Sequence, residues 1–359
     1  MRAPSHRLLR VSDRCPCRHR LLCTPSIVSL LLLGRLHIAS ALHVCIGTRP
    51  SPLACTQAEA FARALQRAEP SVTYELVRIS STGDQPIGSS VAASTLAQGE
   101  KVFTDFTGLL DDAVINREID VAVHSLKDLP PLRRWKPGLA IGYHSARENP
   151  YDVLVGAESV AGMPLNARVG SSSVRRQAQL LAMRPDVTPV NLRGNVKARL
   201  EALDGGEVDV LVLAKAGLDR LGLSSRCQHE LSSEQMLPAC GQGIVCAVCR
   251  TDQTDLLRLL HAADDRESRM AAAAELAFLS TVDGAAPWEG RPPLAAHMKL
   301  CEDSSWLLSC LLARPDGARV LRTTRHTASN ASEEQARALG VEAGEELLRL
   351  AGAHFFFED

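Results

Sequence analysis

From residue 42 onward, short apolar runs alternate with stretches of helical period. Residues 43–47 read as a strand, and Ser51-Pro52 supplies an N-cap and a first-turn proline for a helix running to about Ala68, with Leu53, Phe61 and Leu65 on one face. Strands are predicted at 74–79, 119–123 and 139–143, with a helix over about 105–117. The same style returns with strands at 168–170, 187–191 and 208–213 and helices at 174–183 and 196–203. This alternation predicts open, largely parallel sheets. A further apolar run at 244–249 reads as a buried strand. An Ala-rich helix is expected over 264–282, then a hairpin over 294–320 turning at Pro315-Asp316-Gly317, and a last helix over about 332–350. Residues 83–99 are rich in Ser, Gly and Gln without a clear period, which marks a long loop of the kind that is usually functional or disordered.

Length and charge refine this picture. At about 100–200 residues per domain, 359 residues predict two or three domains with cores of ordinary size. The formal net charge of −1 and the 4% aromatic content argue against bulk nucleic-acid binding. The average hides a segregation: residues 1–40 carry seven arginines against the single acid Asp13, a +6 segment on a −7 remainder. An apolar stretch at 27–33 follows, then Ala39-Ser40-Ala41, so residues 1–41 read as a cleaved targeting leader. The stretch is far short of the ~20 residues that span a bilayer, so no membrane anchor is expected. A plastid-type organelle is the expected destination, with a mitochondrion, the secretory route or the cytoplasm as alternatives.

Of eleven cysteines, Cys15, Cys17 and Cys23 lie in the leader. Cys246 and Cys249 form a C-x-x-C, but on a strand positions i and i+3 face opposite ways, and no second pair has zinc-like spacing. No metal is therefore expected, and the cysteines read mainly as small buried hydrophobes in a reducing compartment.

Candidate chemistry collects at strand ends, where open α/β sheets bind ligands. Gly47-Thr48-Arg49-Pro50-Ser51 follows the first strand, and His124-Ser125-Leu126-Lys127-Asp128 follows Val121-Ala122-Val123. Gly170-Ser171-Ser172-Ser173-Val174-Arg175-Arg176 places two arginines in a helix first turn, where the dipole disfavours cations, and so calls for an external anion. Arg193-Gly194-Asn195 with Arg199, and Arg220 with Arg226, complete the set. Taken singly, a serine before a helix is usually just a cap and an arginine on a helix usually a solvated face. Five cationic strand ends together point to a small polycarboxylate, because the guanidinium fork holds carboxylates bidentately and neither a glycine phosphate cradle nor an acidic metal cluster accompanies them. Asp128 is the exception, an acid among cations, suited either to a local ion pair or to stabilising positive charge on a substrate.

These segments resemble the hydroxymethylbilane synthase, or porphobilinogen deaminase, family. The resemblance is carried by Thr48 to Ala54, Val121 to Pro130, Gly170 to Gln177, Leu192 to Val196, Ala216 to Leu223 and Leu237 to Gly243. It is dense over 42–285 and weak beyond. It implies an α/β fold of two type-II periplasmic-binding-protein-like lobes plus a small α+β C-terminal domain. The division expected is 42–144 with 241–262 for the first lobe, 145–240 for the second and 263–359 for the third domain. The implied reaction joins four porphobilinogen units, each losing ammonia, into the linear tetrapyrrole hydroxymethylbilane on a dipyrromethane cofactor. Asp128 is then the catalytic carboxylate that binds pyrrole N–H groups and stabilises the azafulvene cation formed as ammonia leaves. Arg49, Ser51, Lys101, Ser125, Lys127, Ser173, Arg175, Arg176, Arg193, Gly194, Asn195, Arg199 and Arg220 are the implied substrate and cofactor ligands. The implied partners are porphobilinogen, the growing oligopyrrole and a downstream uroporphyrinogen-III synthase, with a monomeric chain and no nucleic acid.

Two positions depart from the family pattern. Ala286, in Asp283-Gly284-Ala285-Ala286-Pro287-Trp288, stands where a cysteine would attach the cofactor. Gly108 stands where a lysine is expected after the long loop, with Lys101 the nearby substitute. The expectation is an active synthase that holds its primer noncovalently or through another cysteine. The competing expectations are a catalytically degenerate homologue and a periplasmic-type binder of a small polycarboxylate.

Overall fold

The computed structural model describes residues 42–80, 107–131, 135–285, 292–352 and 354–355. The leader, the 83–99 loop, Lys101 and Ala286 lie outside them. Among the described residues, no helix is long and apolar enough to cross a membrane.

Strand β1 (His43–Thr48) is buried at every position after its first, as a strand covered on both faces must be. It pairs in parallel with β2 (Thr73–Arg78) on one side and β3 (Val121–Ser125) on the other. The chain leaves this sheet after β4 (Leu139–His144) and returns as β10 (Val245–Arg250), which inserts antiparallel between β3 and β4 to give the order β2-β1-β3-β10-β4. Helix α1 (Pro52–Ala68) and helix α6 (Thr254–Ala263) cover one face, where Ala58, Phe61, Leu65, Leu256 and Leu260 pack on Val44, Ile46, Val121, Val123, Val245, Ala247 and Cys249. Helix α2 (Gly108–Ile115) packs Leu110 and Val114 against Ile119 and Ala122. Cys246 and Val248 face the opposite way from Cys249, into the core shared with α7 (Arg266–Ala285). The C-x-x-C is thus split across the sheet, as its spacing on a strand dictates.

The second sheet comprises β5 (Asp152–Val155), β6 (Arg168–Gly170), β7 (Thr188–Val190), β8 (Val210–Ala214) and β9 (His229–Glu230), in the order β7-β6-β8-β5-β9. Renumbered from β6, this is the order of the first sheet: second, first, third, a strand from the crossing, fourth. The chain therefore builds two lobes on one plan, each accepting a strand at the crossing between them. Each sheet has two parallel and two antiparallel pairings, so the sheets are mixed rather than largely parallel. The crossing strands β5 and β10 cause the difference. β5 and β9 were not legible in the hydrophobic pattern, being only four and two residues long. Helices α3 (Val174–Met183), α4 (Val196–Asp204) and the one-and-a-half-turn α5 (Lys215–Arg220) connect the strands.

The return crossing passes through Gly241-Gln242-Gly243. Gly243 takes φ +90°, and a Cβ there would lie 2.4 Å from the Glu148 carbonyl, so only glycine lets the two crossing segments lie side by side.

The third unit is an antiparallel sheet of β11 (Leu294–Leu300), β12 (Trp306–Ala313) and β13 (Val320–Thr327), one strand more than the expected hairpin. Helix α7 and helix α8 (Glu333–Ala351) pack on it. Ser332 and Gln335 form a reciprocal capping box at the α8 start. The helices approach closely enough that a Cβ on Gly340 would sit 2.0 Å from the Ala274 carbonyl. The single helix expected over 264–282 is preceded by α6. The two are separated at Asp264, whose carboxylate bonds the His144 ring at 2.9 Å and pairs with Arg269, and Asp265 caps α7 by accepting from the Ser268 N–H at 2.8 Å.

Candidate active site

Strand β3 ends in a short 3-10 turn, Leu126–Asp128, which sets the direction of three polar side chains. Leu126 is fully buried and its N–H bonds the Ile244 carbonyl at 2.9 Å, so the turn is fastened to the core on one side. Asp128 and Ser125 face a cleft with Arg49, Gln57, Thr107 and His124. Gln57 Nε2 donates to Ser125 Oγ at 2.9 Å, which ties α1 to the end of β3. Ser51 caps α1, its Oγ accepting from the Ala54 N–H at 3.3 Å. The bottom of the cleft holds His124 Nε2 3.3 Å from Asp111 Oδ1, both side chains buried.

Lys127 stands next to Asp128 on the same 3-10 turn. Part of its surface is accessible, but its Nζ donates to Gln242 Oε1 at 3.2 Å within the crossing between the lobes. Burial, reinforced by the nearby Arg176 charge and opposed by Asp128 and Asp152, pushes its pKa down to about 8. Gln242 in turn donates to Asp152 Oδ1 at 2.9 Å and to the Pro150 carbonyl at 2.7 Å.

Asp152 is the centre of the charged network. Arg175 Nη2 lies 2.7 Å from its Oδ2, while Arg176 reaches its Oδ1 through Nε at 3.0 Å and Nη2 at 2.7 Å. Burial raises the Asp152 pKa, but the two guanidiniums, Gln242 and Lys127 outweigh it and hold the value at about 2. Arg175 also donates to the Leu237 carbonyl at 2.7 Å and Arg176 to the Val212 carbonyl at 2.9 Å. Asp152 thus supplies an internal anion to the α3 first turn, one carboxylate for two guanidiniums. Asp152 enters through β5, the strand missed in the sequence, and supplies what the helix dipole lacks.

From the second lobe, half-buried Arg199 donates from Nε to the Gly194 carbonyl at 3.0 Å. Burial, then the Arg176 charge, lower its pKa to about 10, with Asp128 acting in the opposite sense. Arg199 thus senses the Asp128 charge from across the lobes. Ser173 and Asn195 cap α3 and α4, accepting from the Arg176 N–H at 3.4 Å and the Ala198 N–H at 2.9 Å. Arg193 lies exposed on the same loop. Arg220 sits elsewhere, 2.9 Å from Glu148 Oε2 and 3.1 Å from the Gly243 carbonyl, in a second cleft with Phe61, Tyr143 and Ser145. Arg226 pairs with Asp204 at 2.6 Å. The structure brings Arg49, Ser125 and Asp128 together in one cleft, puts Lys127 and Arg199 within electrostatic reach of Asp128, holds Arg175 and Arg176 on Asp152, and places Arg220 at the crossing.

Residues 44–258 match the family model described as porphobilinogen deaminase, dipyromethane cofactor binding domain. The chain is 38% identical to a porphobilinogen deaminase of Desulforudis audaxviator over 319 residues, 87% of this chain and 99% of that one. It is 34% identical to a chloroplastic porphobilinogen deaminase of Oryza sativa over 358 residues, 98% of this chain and 96% of that one. The chain belongs to the porphobilinogen deaminase family.

For a porphobilinogen deaminase, the thiols are the informative remainder. None of the eight described cysteines is in a disulfide. Cys246 is fully buried, and burial, with the nearby Asp111 and Asp128 charges, raises its pKa well above the ordinary thiol value. A thiol kept neutral and enclosed is a poor nucleophile. Gln57, Asp152 and Gln242 complete the site without having been assigned from the sequence. The only signal for Asp152 was its place directly before the apolar Val153-Leu154-Val155.

Proposed function

We propose that Asp128 carries the chemistry of this family in the chain, and that the surrounding cations hold the carboxylate arms of substrate and cofactor. As a porphobilinogen deaminase the chain is a transferase that joins four porphobilinogen units head to tail into hydroxymethylbilane, releasing one ammonia per unit. The observation that supports the assignment is the placement of one carboxylate, Asp128, in a cleft with Arg49 and Ser125 and within electrostatic reach of Arg199.

The residues fit the dipyrromethane cofactor by their donor chemistry: a carboxylate acceptor suits pyrrole N–H groups, and arginine and lysine donors suit acetate and propionate arms. Bound there, the cofactor supplies the pyrrole carbon to which the first substrate unit is joined. The chain's own residues do the rest. Asp128 accepts hydrogen bonds from ring N–H groups and stabilises the positive charge that develops as ammonia departs from porphobilinogen. Arg49 and Arg199, aided by Lys127, orient the carboxylate arms, so that reacting carbons meet in one geometry. Arg175 and Arg176, both paired with the single carboxylate of Asp152, hold the α3 start and the crossing in place and leave one net positive charge there.

With Ala286 at the family's attachment position, the cofactor is held by ion pairs and hydrogen bonds rather than by a thioether. The test is intact mass under native and denaturing conditions, with Ehrlich staining for dipyrromethane. The expected result is a cofactor-bearing native mass and a bare-chain denatured mass. A denatured mass that keeps the cofactor contradicts noncovalent holding, and peptide mapping would then start at Cys55, whose Sγ lies 3.6 Å from the Arg49 carbonyl. A chain free of dipyrromethane in both conditions contradicts the binding itself.

The leader and the chloroplastic naming of the rice relative, and of a relative from Pisum sativum, support import into a plastid. The chain acts there as a monomer and passes its product to a uroporphyrinogen-III synthase.

A further inference from the structure

In the first half of β1, roughly 13–20 Å from Arg49 by strand rise, three metal-ligating side chains converge. β1 and β2 pair in parallel with His43 opposite Thr73 and Cys45 opposite Glu75. Residues two apart on a strand share a face, so this register gathers His43, Cys45 and Glu75 on one side of the sheet edge. A ring nitrogen, the thiol sulfur and a carboxylate oxygen all lie within 4.8 Å of one another.

The surroundings hold these groups in place. Cys45 Sγ donates to Glu75 Oε1 at 3.0 Å, the His43 ring bonds Thr73 Oγ1 at 2.9 Å through Nδ1, and the Cys45 N–H donates to Asp120 Oδ2 at 2.9 Å. The thiol is buried at the floor, while His43 and Glu75 are exposed at the rim. A cation can therefore enter from solvent and keep a water as its fourth ligand. The mixed sulfur, nitrogen and oxygen set excludes calcium and magnesium, which take oxygen ligands, and matches a borderline divalent ion in tetrahedral coordination.

We propose that His43, Cys45 and Glu75 bind one zinc-class divalent cation, separate from the catalytic cleft, that staples β1 to the edge strand β2. On binding, the Cys45 thiol gives its proton to the buffer and ligates as thiolate, Glu75 binds as carboxylate and His43 through a neutral ring nitrogen. The site is invisible to spacing rules because two ligands come from one strand and the third from its partner thirty residues on.

The test is titration of the full chain with Co(II) under a non-thiol reductant, following the thiolate-to-cobalt charge-transfer band, then displacement by Zn(II). One saturable equivalent is expected, with the band lost in Cys45→Ser and affinity reduced at least about tenfold in His43→Ala and in Glu75→Gln. Circular dichroism checks the fold of each variant. If Cys45→Ser misfolds, His43→Ala and Glu75→Gln carry the test. Porphobilinogen turnover is expected to stay at the parental rate in Glu75→Gln. The absence of a saturable equivalent overturns the proposal. So does a band that survives in Cys45→Ser, which would place the metal on other thiols such as Cys15, Cys17 and Cys23.

Discussion

Arg176 grips a single oxygen of Asp152 through two nitrogens, Nε at 3.0 Å and Nη2 at 2.7 Å, while Arg175 takes the other oxygen at 2.7 Å. All three side chains are buried, and they join the first turn of α3 to the first residue of β5. An arrangement of two cations on one anion leaves a net positive charge facing the crossing, next to Lys127 and Gln242.

Removing the anion should cost far more than one hydrogen bond. Asp152→Asn leaves two buried guanidiniums uncompensated, and breaking a buried pair in this way costs about 3–5 kcal/mol. The urea midpoint should fall accordingly with the slope unchanged. A variant within about 0.5 kcal/mol of the parent would show that the network is dispensable.

Lys127 should impose a pH dependence with two opposite signs. Its folded pKa is depressed to about 8 from 10.5, so it loses its charge as the pH rises through about 8. The unfolded chain binds that proton up to about 10.5, so the residue's penalty on stability is relieved between those values. Its attraction for carboxylate arms weakens over the same range. The KM for porphobilinogen should therefore rise above about pH 8 in the parent and stay high and flat in Lys127→Met. A parental KM that is level from pH 7 to 9.5 would rule out this role.

Arg49 and Arg199 should act on binding more than on chemistry. Arg199→Lys keeps the charge but loses the fork, and Arg49→Met loses both. A charge-assisted hydrogen bond is worth about 1.5–3 kcal/mol, so KM should rise about 10- to 100-fold while kcat changes little. Steady-state kinetics at a fixed ionic strength decide it, and a loss confined to kcat would contradict it.

The two-lobe plan was legible because its signals are local. Ser51-Pro52 and Ser173 mark helix starts, and 121–123 and 210–213 are apolar runs bounded by polar turns. Asp128 stood out for the same reason, an acid at a strand end among cations. What stayed hidden depends on non-local pairing. β5 is four residues long behind Asn149-Pro150, and its partner β8 lies some sixty residues on, so no periodicity announces it. With β5 unseen, Asp152 was unseen, and the Arg175–Arg176 pair was left waiting for an anion from outside. The surroundings of Arg220 were hidden for a related reason: its partners, Glu148 and Gly243, come from the two crossing segments, which meet only in the folded chain.

Hydroxymethylbilane synthesis on Asp128 is the proposal on which the other roles assigned to the site depend. Its most direct test is turnover of porphobilinogen by the parent and Asp128→Ala side by side, with the product oxidised and measured as uroporphyrin. The parent should form product, and the variant should be slower by at least about 100-fold with an unchanged melting temperature. Equal rates in the two proteins, or no product from a parent that carries its dipyrromethane, would contradict the account.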